Sequence, residues 1–157
     1  MNGSSQNSIS GYGKVGLNRI GVLYEIGVSD QFGQHTFHLG ARFYGPDLVF
    51  EKNHPGLQFG YGYSFLNLDK MSVQLGIDFG AYHENKGTSN LWVFDPKITL
   101  GPKWRLSDHL MIQLSAGAGT VINKVEVSNA QNIETYNYLN YELALGITYR
   151  FWNSSDQ

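Results

Sequence analysis

Large apolar residues recur at every second position through most of this chain. The clearest run is Leu139 to Phe151. There Leu139, Tyr141, Leu143, Leu145, Ile147, Tyr149 and Phe151 alternate with Asn140, Glu142, Ala144, Gly146, Thr148 and Arg150, which are polar or small. Successive side chains of a strand point to opposite faces, so this segment has one apolar face and one polar face. A helix would repeat its apolar positions at about 3.6 residues. A tilted strand of about 9–11 residues crosses a bilayer, and this one is long enough.

The same alternation runs upstream. Ile9, Gly11, Gly13, Val15 and Leu17 share one face, and then the phase flips at Asn18-Arg19, after which Ile20, Val22, Tyr24, Ile26 and Val28 form the apolar set. A flip marks a turn or a bulge, and a turn is the reading taken here. Further strands are expected at 35–43, 57–65, 71–81, 94–106 and 110–118. The connections expected between them are Asp30 to Gly33, Gly45 to His54, Asn67 to Lys70, Glu84 to Leu91, Ser107-Asp108 and Asn123 to Asn137. Eight strands whose connections alternate short and long predict an all-β, antiparallel up-and-down barrel with both termini at the short-turn end. Residues 1–7 read as a loose polar tail, 8–152 as the barrel domain and 153–157 as a C-terminal tail. Pro96 and Pro102 interrupt one strand and cannot donate to a ladder, so bulges are expected there.

Alternation alone does not say which face points outward. Soluble barrels of lipocalin type put the apolar face inside, and membrane barrels put it outside. Glycine decides in favour of the membrane. Gly21, Gly27, Gly40, Gly60, Gly62, Gly76, Gly80, Gly101, Gly117, Gly119 and Gly146 fall on the polar face. A solvent-washed face gains nothing from glycine, whereas a narrow lumen needs the room. The apolar face is also zoned by height. Phe37, Tyr63, Phe65, Trp104, Tyr149 and Phe151 lie near the short turns, Phe43, Phe79, Phe94 and Tyr141 near the long connections, and aliphatic residues between. Aromatic girdles around an aliphatic band suit two membrane interfaces.

Composition narrows the function. Charged residues are 15% of the chain, against roughly 25% in ordinary soluble domains. The net charge is −2 and no basic run occurs, which argues against a nucleic-acid partner. There is no cysteine, so neither disulfides nor thiolate metal sites are possible. No stretch is long and apolar enough for a transmembrane helix. Met1 to Ser10 has no charged n-region or apolar core and does not read as a signal peptide, so the chain is expected to be a processed form of an exported protein.

The spacing Gly146, Tyr149, Phe151 resembles the C-terminal assembly signal of bacterial outer-membrane β-barrels. Together with the eight-strand pattern, the chain resembles the small OmpA-like and OmpX-like families over nearly its whole length. The resemblance implies a porin-like fold in a Gram-negative outer membrane. It implies outer-membrane lipid and the barrel assembly machinery as partners, and structural, adhesive or complex-accessory roles carried by surface loops.

Candidate chemistry is sparse. Lys14, Arg19, Glu25, Arg42, Asp78, Asp95, Lys97, Lys103, Arg105, Glu142 and Arg150 fall on the polar face. Glu25, Arg42, Asp78, Lys97 and Glu142 are expected at overlapping heights, paired in a plugged lumen, because an eight-stranded interior is just wide enough for side chains to fill. A selective pore is the less favoured alternative. Lipid A deacylases resemble this architecture but carry His-x-Ser, which is absent here. His83, Glu84 and Ser89 lie near one another in sequence, in an expected loop. No catalytic, cofactor or metal residue is assigned, and an enzyme is not expected. Gly60-Tyr-Gly-Tyr63 lacks the helix and lysine of a nucleotide loop. The long connections hold apolar residues, including Leu48, Val49, Phe50, Trp92, Val125, Val127, Ile133 and Tyr136, of which Phe50, Trp92, Ile133 and Tyr136 are the candidates for contact with a protein partner. The runner-up reading is a soluble, lipid-binding barrel of lipocalin type, followed by a lipid A-modifying enzyme.

Overall fold

A computed structural model describes residues 7–19, 21–45, 54–85, 89–127 and 133–153. Eight strands follow in chain order: β1 (Asn7–Asn18), β2 (Val22–Phe32), β3 (His35–Tyr44), β4 (His54–Asn67), β5 (Met71–Asn85), β6 (Ser89–Arg105), β7 (Leu110–Val127) and β8 (Ile133–Asn153). Each pairs antiparallel with its neighbour in sequence, and β1 pairs with β8 to close the barrel. Closure satisfies every strand edge, which an open sheet in lipid could not do. The β2–β3, β4–β5 and β6–β7 turns and both ends of the described chain lie at one mouth; the opposite strand ends form the other mouth.

The apolar face points outward. Val15, Leu17, Ile26, Leu39, Leu57, Ile77, Ile98, Leu143 and Leu145 are all more than half exposed, while Glu25, Arg42, Asp95 and Lys97 are buried inside. An apolar calyx of lipocalin type is therefore excluded. The expected aromatic positions Phe37, Phe65, Tyr149 and Phe151 are exposed at the short-turn end, and Phe43 and Tyr141 toward the other. Phe59, Phe79 and Phe94 continue as neighbouring rings, with centroids 4.9 and 6.0 Å apart.

The phase flip at Asn18-Arg19 is a turn. Asn18 N–H donates to Gly21 O at 3.0 Å, and Leu17 pairs with Val22 across the hairpin. Gly21 has φ 149° and belongs to this turn, so it does not line the lumen as its position in the alternation suggested. Ile20 lies outside the described residues.

Several boundaries move. β2 continues through Asp30 to Phe32, and the turn is Gly33-Gln34, with Gly33 at φ 59°. The expected loops at Glu84 to Leu91 and Asn123 to Asn137 are mostly strand. β5 and β6 pair out to Asn85 and Asn90, and β7 and β8 out to Glu126 and Ile133. β8 is 21 residues long against 10 for β3, so the β5–β8 wall rises above the β1–β3 wall. Asn7 and Asn153, placed in the tails by sequence, are the first and last strand residues.

Neither proline makes a bulge. Pro96 and Pro102 keep their places opposite Phe79 and Val73 on β5. On the β7 side pairing lapses at 95–96 and 101–102 and resumes in the same register. The register shifts fall elsewhere, where Phe65 and Phe151 are the extra residues between Ser64 and Leu66 on β4 and between Arg150 and Trp152 on β8.

Gly27 and Gly40 face each other across β2 and β3, and the Tyr12 side chain lies over both. A Cβ on Gly27 would sit 2.3 Å from Leu39 O and 2.6 Å from the Gly40 Cα. These are backbone atoms, which cannot swing away. Gly27→Val should therefore destabilise the barrel by about 1–3 kcal/mol or more, read as a lower denaturant midpoint in detergent micelles. An unchanged midpoint would contradict this packing.

Candidate functional site: the charged belt and cavities of the lumen

Strand alternation sends Lys14 (β1), Glu25 (β2), Arg42 (β3), Asp78 (β5), Asp95 and Lys97 (β6) and Glu142 (β8) into the interior. They meet in one belt across the lumen. Arg42 and Glu25 are cross-strand partners, with Arg42 Nη2 2.8 Å and Nε 3.1 Å from Glu25 Oε2. Arg42 Nη1 also lies 3.3 Å from Asp95 Oδ2 and 3.5 Å from Glu142 Oε2. Lys97 pairs with Asp95 at 2.9 Å and with Glu142. Lys14 Nζ sits 3.1 Å from Glu25, 3.6 Å from Glu142 and 3.8 Å from Asp78.

Further hydrogen-bonding groups complete the belt. Tyr12 OH donates to Glu25 Oε1 at 2.8 Å. Asn140 Nδ2 donates to Asp95 Oδ1 at 3.0 Å, and Tyr44 OH to Asp95 Oδ2 at 3.2 Å. His38 Nε2 lies 3.0 Å from Asp78 Oδ1. Buried charges persist only when paired and hydrogen-bonded, because their desolvation costs several kcal/mol each. The glycines make this possible. A Cβ on Gly60 would lie 2.4 Å from both Asp78 Oδ1 and His38 Nε2.

The five lumen residues singled out from sequence are all in this belt. Glu25, Arg42, Lys97 and Glu142 are in direct contact, whereas Asp78 joins through Lys14 and His38. Asp78 stands opposite Lys97 in the ladder, yet Lys97 turns to Asp95 and Glu142. Lys14 and Asp95 proved as central as the five. Tyr12, His38, Tyr44 and Asn140 were missed as belt partners. Their positions on the inward face were the available signal, but alternation does not report which groups share a height.

Above the belt, toward the long hairpins, Leu23, Tyr44, Tyr82, Val93 and Val121 form a buried apolar layer, with Leu91 and Tyr138 packed on it. Below the belt the lumen opens. A cavity of about 60 Å³ reaches Lys14, Asp78, His38, Gln74 and Lys103. A second, of about 210 Å³ at the short-turn mouth, is lined by Lys70, Lys103, Arg105 and Arg150 among others. Among the described residues no cluster of three or more His, Asp or Glu could hold a metal ion.

The remaining candidates take other places. Gly146 faces the lumen beside Lys14, and Tyr149 and Phe151 face outward, Tyr149 near the His109 ring at 6.0 Å. Arg19 is exposed on the first turn, over the Tyr138 ring. Trp92, Ile133 and Tyr136 are exposed strand residues on the raised wall and not loop residues. Leu48, Val49 and Phe50 lie outside the described residues. His83 is in β5, its ring 4.3 Å from that of Trp92 on the outer face, while Glu84 follows on the inner face. They form no catalytic pair.

Arg42→Met would leave Glu25, Asp95 and Glu142 short of a shared cation. Removing one partner of a buried pair costs about 3–5 kcal/mol. The variant should unfold at markedly lower denaturant in micelles. The exposed Lys124–Glu126 pair, 2.9 Å apart, is the control, and Lys124→Gln should cost no more than about 1 kcal/mol.

No protein-family model and no curated protein matches the chain. Solved structures do. Neisserial surface protein A is 12% identical with a TM-score of 0.57, over 93% of this chain and 96% of that one. A de novo designed transmembrane barrel solved by NMR is 13% identical with a TM-score of 0.55, over 97% and 99%. Another designed transmembrane β-barrel is 16% identical with a TM-score of 0.54, over 91% and 94%. At these identities the likeness carries the fold alone: this chain is a closed, eight-stranded, antiparallel up-and-down β-barrel with its apolar face outward.

Proposed function

We propose that the protein is an integral barrel of a bacterial outer membrane, with a plugged polar lumen, acting as a structural, adhesive or complex-accessory protein through its long-hairpin end. The observation that carries this reading is the inversion of ordinary burial. Aliphatic side chains ring the outside, while Arg42 and Asp95 are 0% exposed inside. In water that outer band would be a large unpartnered apolar surface. Against lipid it needs no partner, and the closed ladder leaves no backbone group unpaired at an edge.

Small outer-membrane barrels place short turns toward the periplasm and long connections outside. On that orientation the raised β5–β8 wall faces the exterior and carries Trp92, Ile133 and Tyr136 at 38, 59 and 54% exposure. Exposed aromatic anchors on a rigid sheet suit protein contact. The OmpA-like and OmpX-like resemblance and the assembly role of Gly146, Tyr149 and Phe151 belong to this proposal.

Exported in a Gram-negative host, the protein should fractionate with the outer membrane, fold only in detergent or lipid, and migrate differently on a denaturing gel before and after heating. A folded, monodisperse protein in plain buffer would overturn the membrane reading. Replacing residues 123–136 by a tight turn should keep the heat-modifiable band and abolish surface adhesion. Loss of the band would make that hairpin part of the scaffold instead.

A further inference from the structure

The interior charges are distributed unevenly along the barrel axis. In the belt, Glu25, Asp78, Asp95 and Glu142 are answered by Lys14, Arg42 and Lys97, and the His38 ring lies against Asp78. Toward the short-turn mouth one sign dominates. Lys70, Lys103, Arg105 and Arg150 line the 210 Å³ cavity, with Asp69 as the acidic residue on its wall. Arg105 Nη2 donates to the backbone oxygen of Asp69 at 2.6 Å, which ties the guanidinium to the rim without neutralising it.

Two donors, one at the floor of this cavity and one in the recess below it, have no partner within hydrogen-bond distance among the described residues. Lys103 lines both the mouth cavity and the smaller one beneath the belt, so the two meet at its side chain. Among the described residues no acceptor lies within hydrogen-bond or ion-pair distance of its ammonium, and Asp78, on the wall of the smaller cavity, is the acidic group that acts on it. Gln74, one strand away and only 8% exposed, lines the smaller cavity, and its Nε2 is buried with no partner. Ser72 stands directly opposite Lys103 in the β5–β6 ladder, and Gln113 opposite it on β7. Buried donors without acceptors cost free energy, and charged ones cost most. Asp78 on the wall of the smaller cavity and Asp69 at the mouth are the carboxylates near these donors, and Asp78 also faces Lys14 and His38. Among the described residues, the mouth cavity itself carries four cationic side chains against the one carboxylate of Asp69. That set matches a compact oxyanion.

Access is one-sided. The belt and the layer of Leu23, Tyr44, Tyr82, Val93 and Val121 close the lumen toward the long hairpins, so a ligand enters from the short-turn mouth. The space would hold about seven waters at roughly 30 Å³ each. A phosphate group fits that space with the rest of its molecule trailing outward.

We propose that the short-turn mouth of the barrel is a phosphate-binding site, with Lys103 at its floor, Gln74 in the recess below, and Lys70, Arg105 and Arg150 around its rim. The phosphate is either a free solute or the headgroup of a lipid at the adjacent membrane surface. The site is open to the compartment at the short-turn end and isolated from the opposite one.

The test uses the full chain folded in neutral maltoside micelles. Inorganic phosphate is titrated while the backbone amides of Ser72, Gln74, Lys103 and Gln113 are followed by NMR. In a second arm, short-chain phosphatidic acid is doped into the micelles without phosphate. Saturable shifts at these amides with phosphate alone identify a soluble anion. Saturable shifts with the lipid alone identify a headgroup. Either supports the site. Lys103→Met should weaken binding at least tenfold, and Gln74→Leu should weaken it several-fold, each keeping the heat-modifiable band. Lys124→Met, on the raised wall, should bind as the parent does. Should Lys103→Met fail to fold, Gln74→Leu and Lys70→Gln carry the comparison. No saturable shift in either arm, or parental affinity in the floor variants, overturns the proposal. Retained heat modifiability in that case leaves the membrane-barrel reading intact.

Discussion

Everything in this molecule follows from closing a short sheet on itself with lipid-compatible side chains outside. Once Leu39, Ile77, Ile98 and Leu145 face outward, the alternate residues must fill a narrow interior. A polar interior this narrow has little room for bulk water, so its charges must find one another. Arg42 is the hub of that solution. It touches Glu25, Asp95 and Glu142 from three other strands, so β2, β3, β6 and β8 are tied across the lumen as well as around the wall. The glycines belong to the same constraint. Gly27, Gly40 and Gly60 leave the wall thin where Tyr12, His38 and Asp78 reach inward. Such a belt is weak evidence for stability, since an apolar plug could do as well energetically. What it does is hold a fixed cross-section.

The two ends of the barrel then differ in kind. Toward the long hairpins the interior is capped by apolar side chains, and the wall continues upward as paired strands β5 to β8. Toward the short turns the interior stays open and is lined mainly by basic side chains. One end is a raised sheet edge that exposes Trp92 and Tyr136, and the other is a small polar recess.

Alternation made the strand core legible, because an apolar outer face and a filled polar lumen force a strict period of two. The flip at Asn18-Arg19 showed the first turn for the same reason. Legibility failed where the outer face stops being apolar. Around His83-Glu84-Asn85 and Glu134-Thr135-Tyr136-Asn137 polar residues fall on both faces, so no alternation marks the strands that cross-strand pairing nonetheless extends. The prolines misled because a proline facing a lapse in pairing needs no extra residue, while the bulges at Phe65 and Phe151 carry no local turn chemistry. In the belt, the inward face was legible residue by residue, but height and rotamer were not. Lys97 and Asp78 are ladder partners that do not pair, and His38 was invisible as a carboxylate partner.

The central claim is that the belt and the apolar layer above it seal the lumen. Planar-bilayer recordings of the purified, folded barrel test it directly. The account predicts no steady conductance above the bare-membrane baseline at any applied potential. Stable, ion-selective openings would contradict it and would turn Lys14, Glu25, Arg42, Lys97 and Glu142 from a plug into a filter.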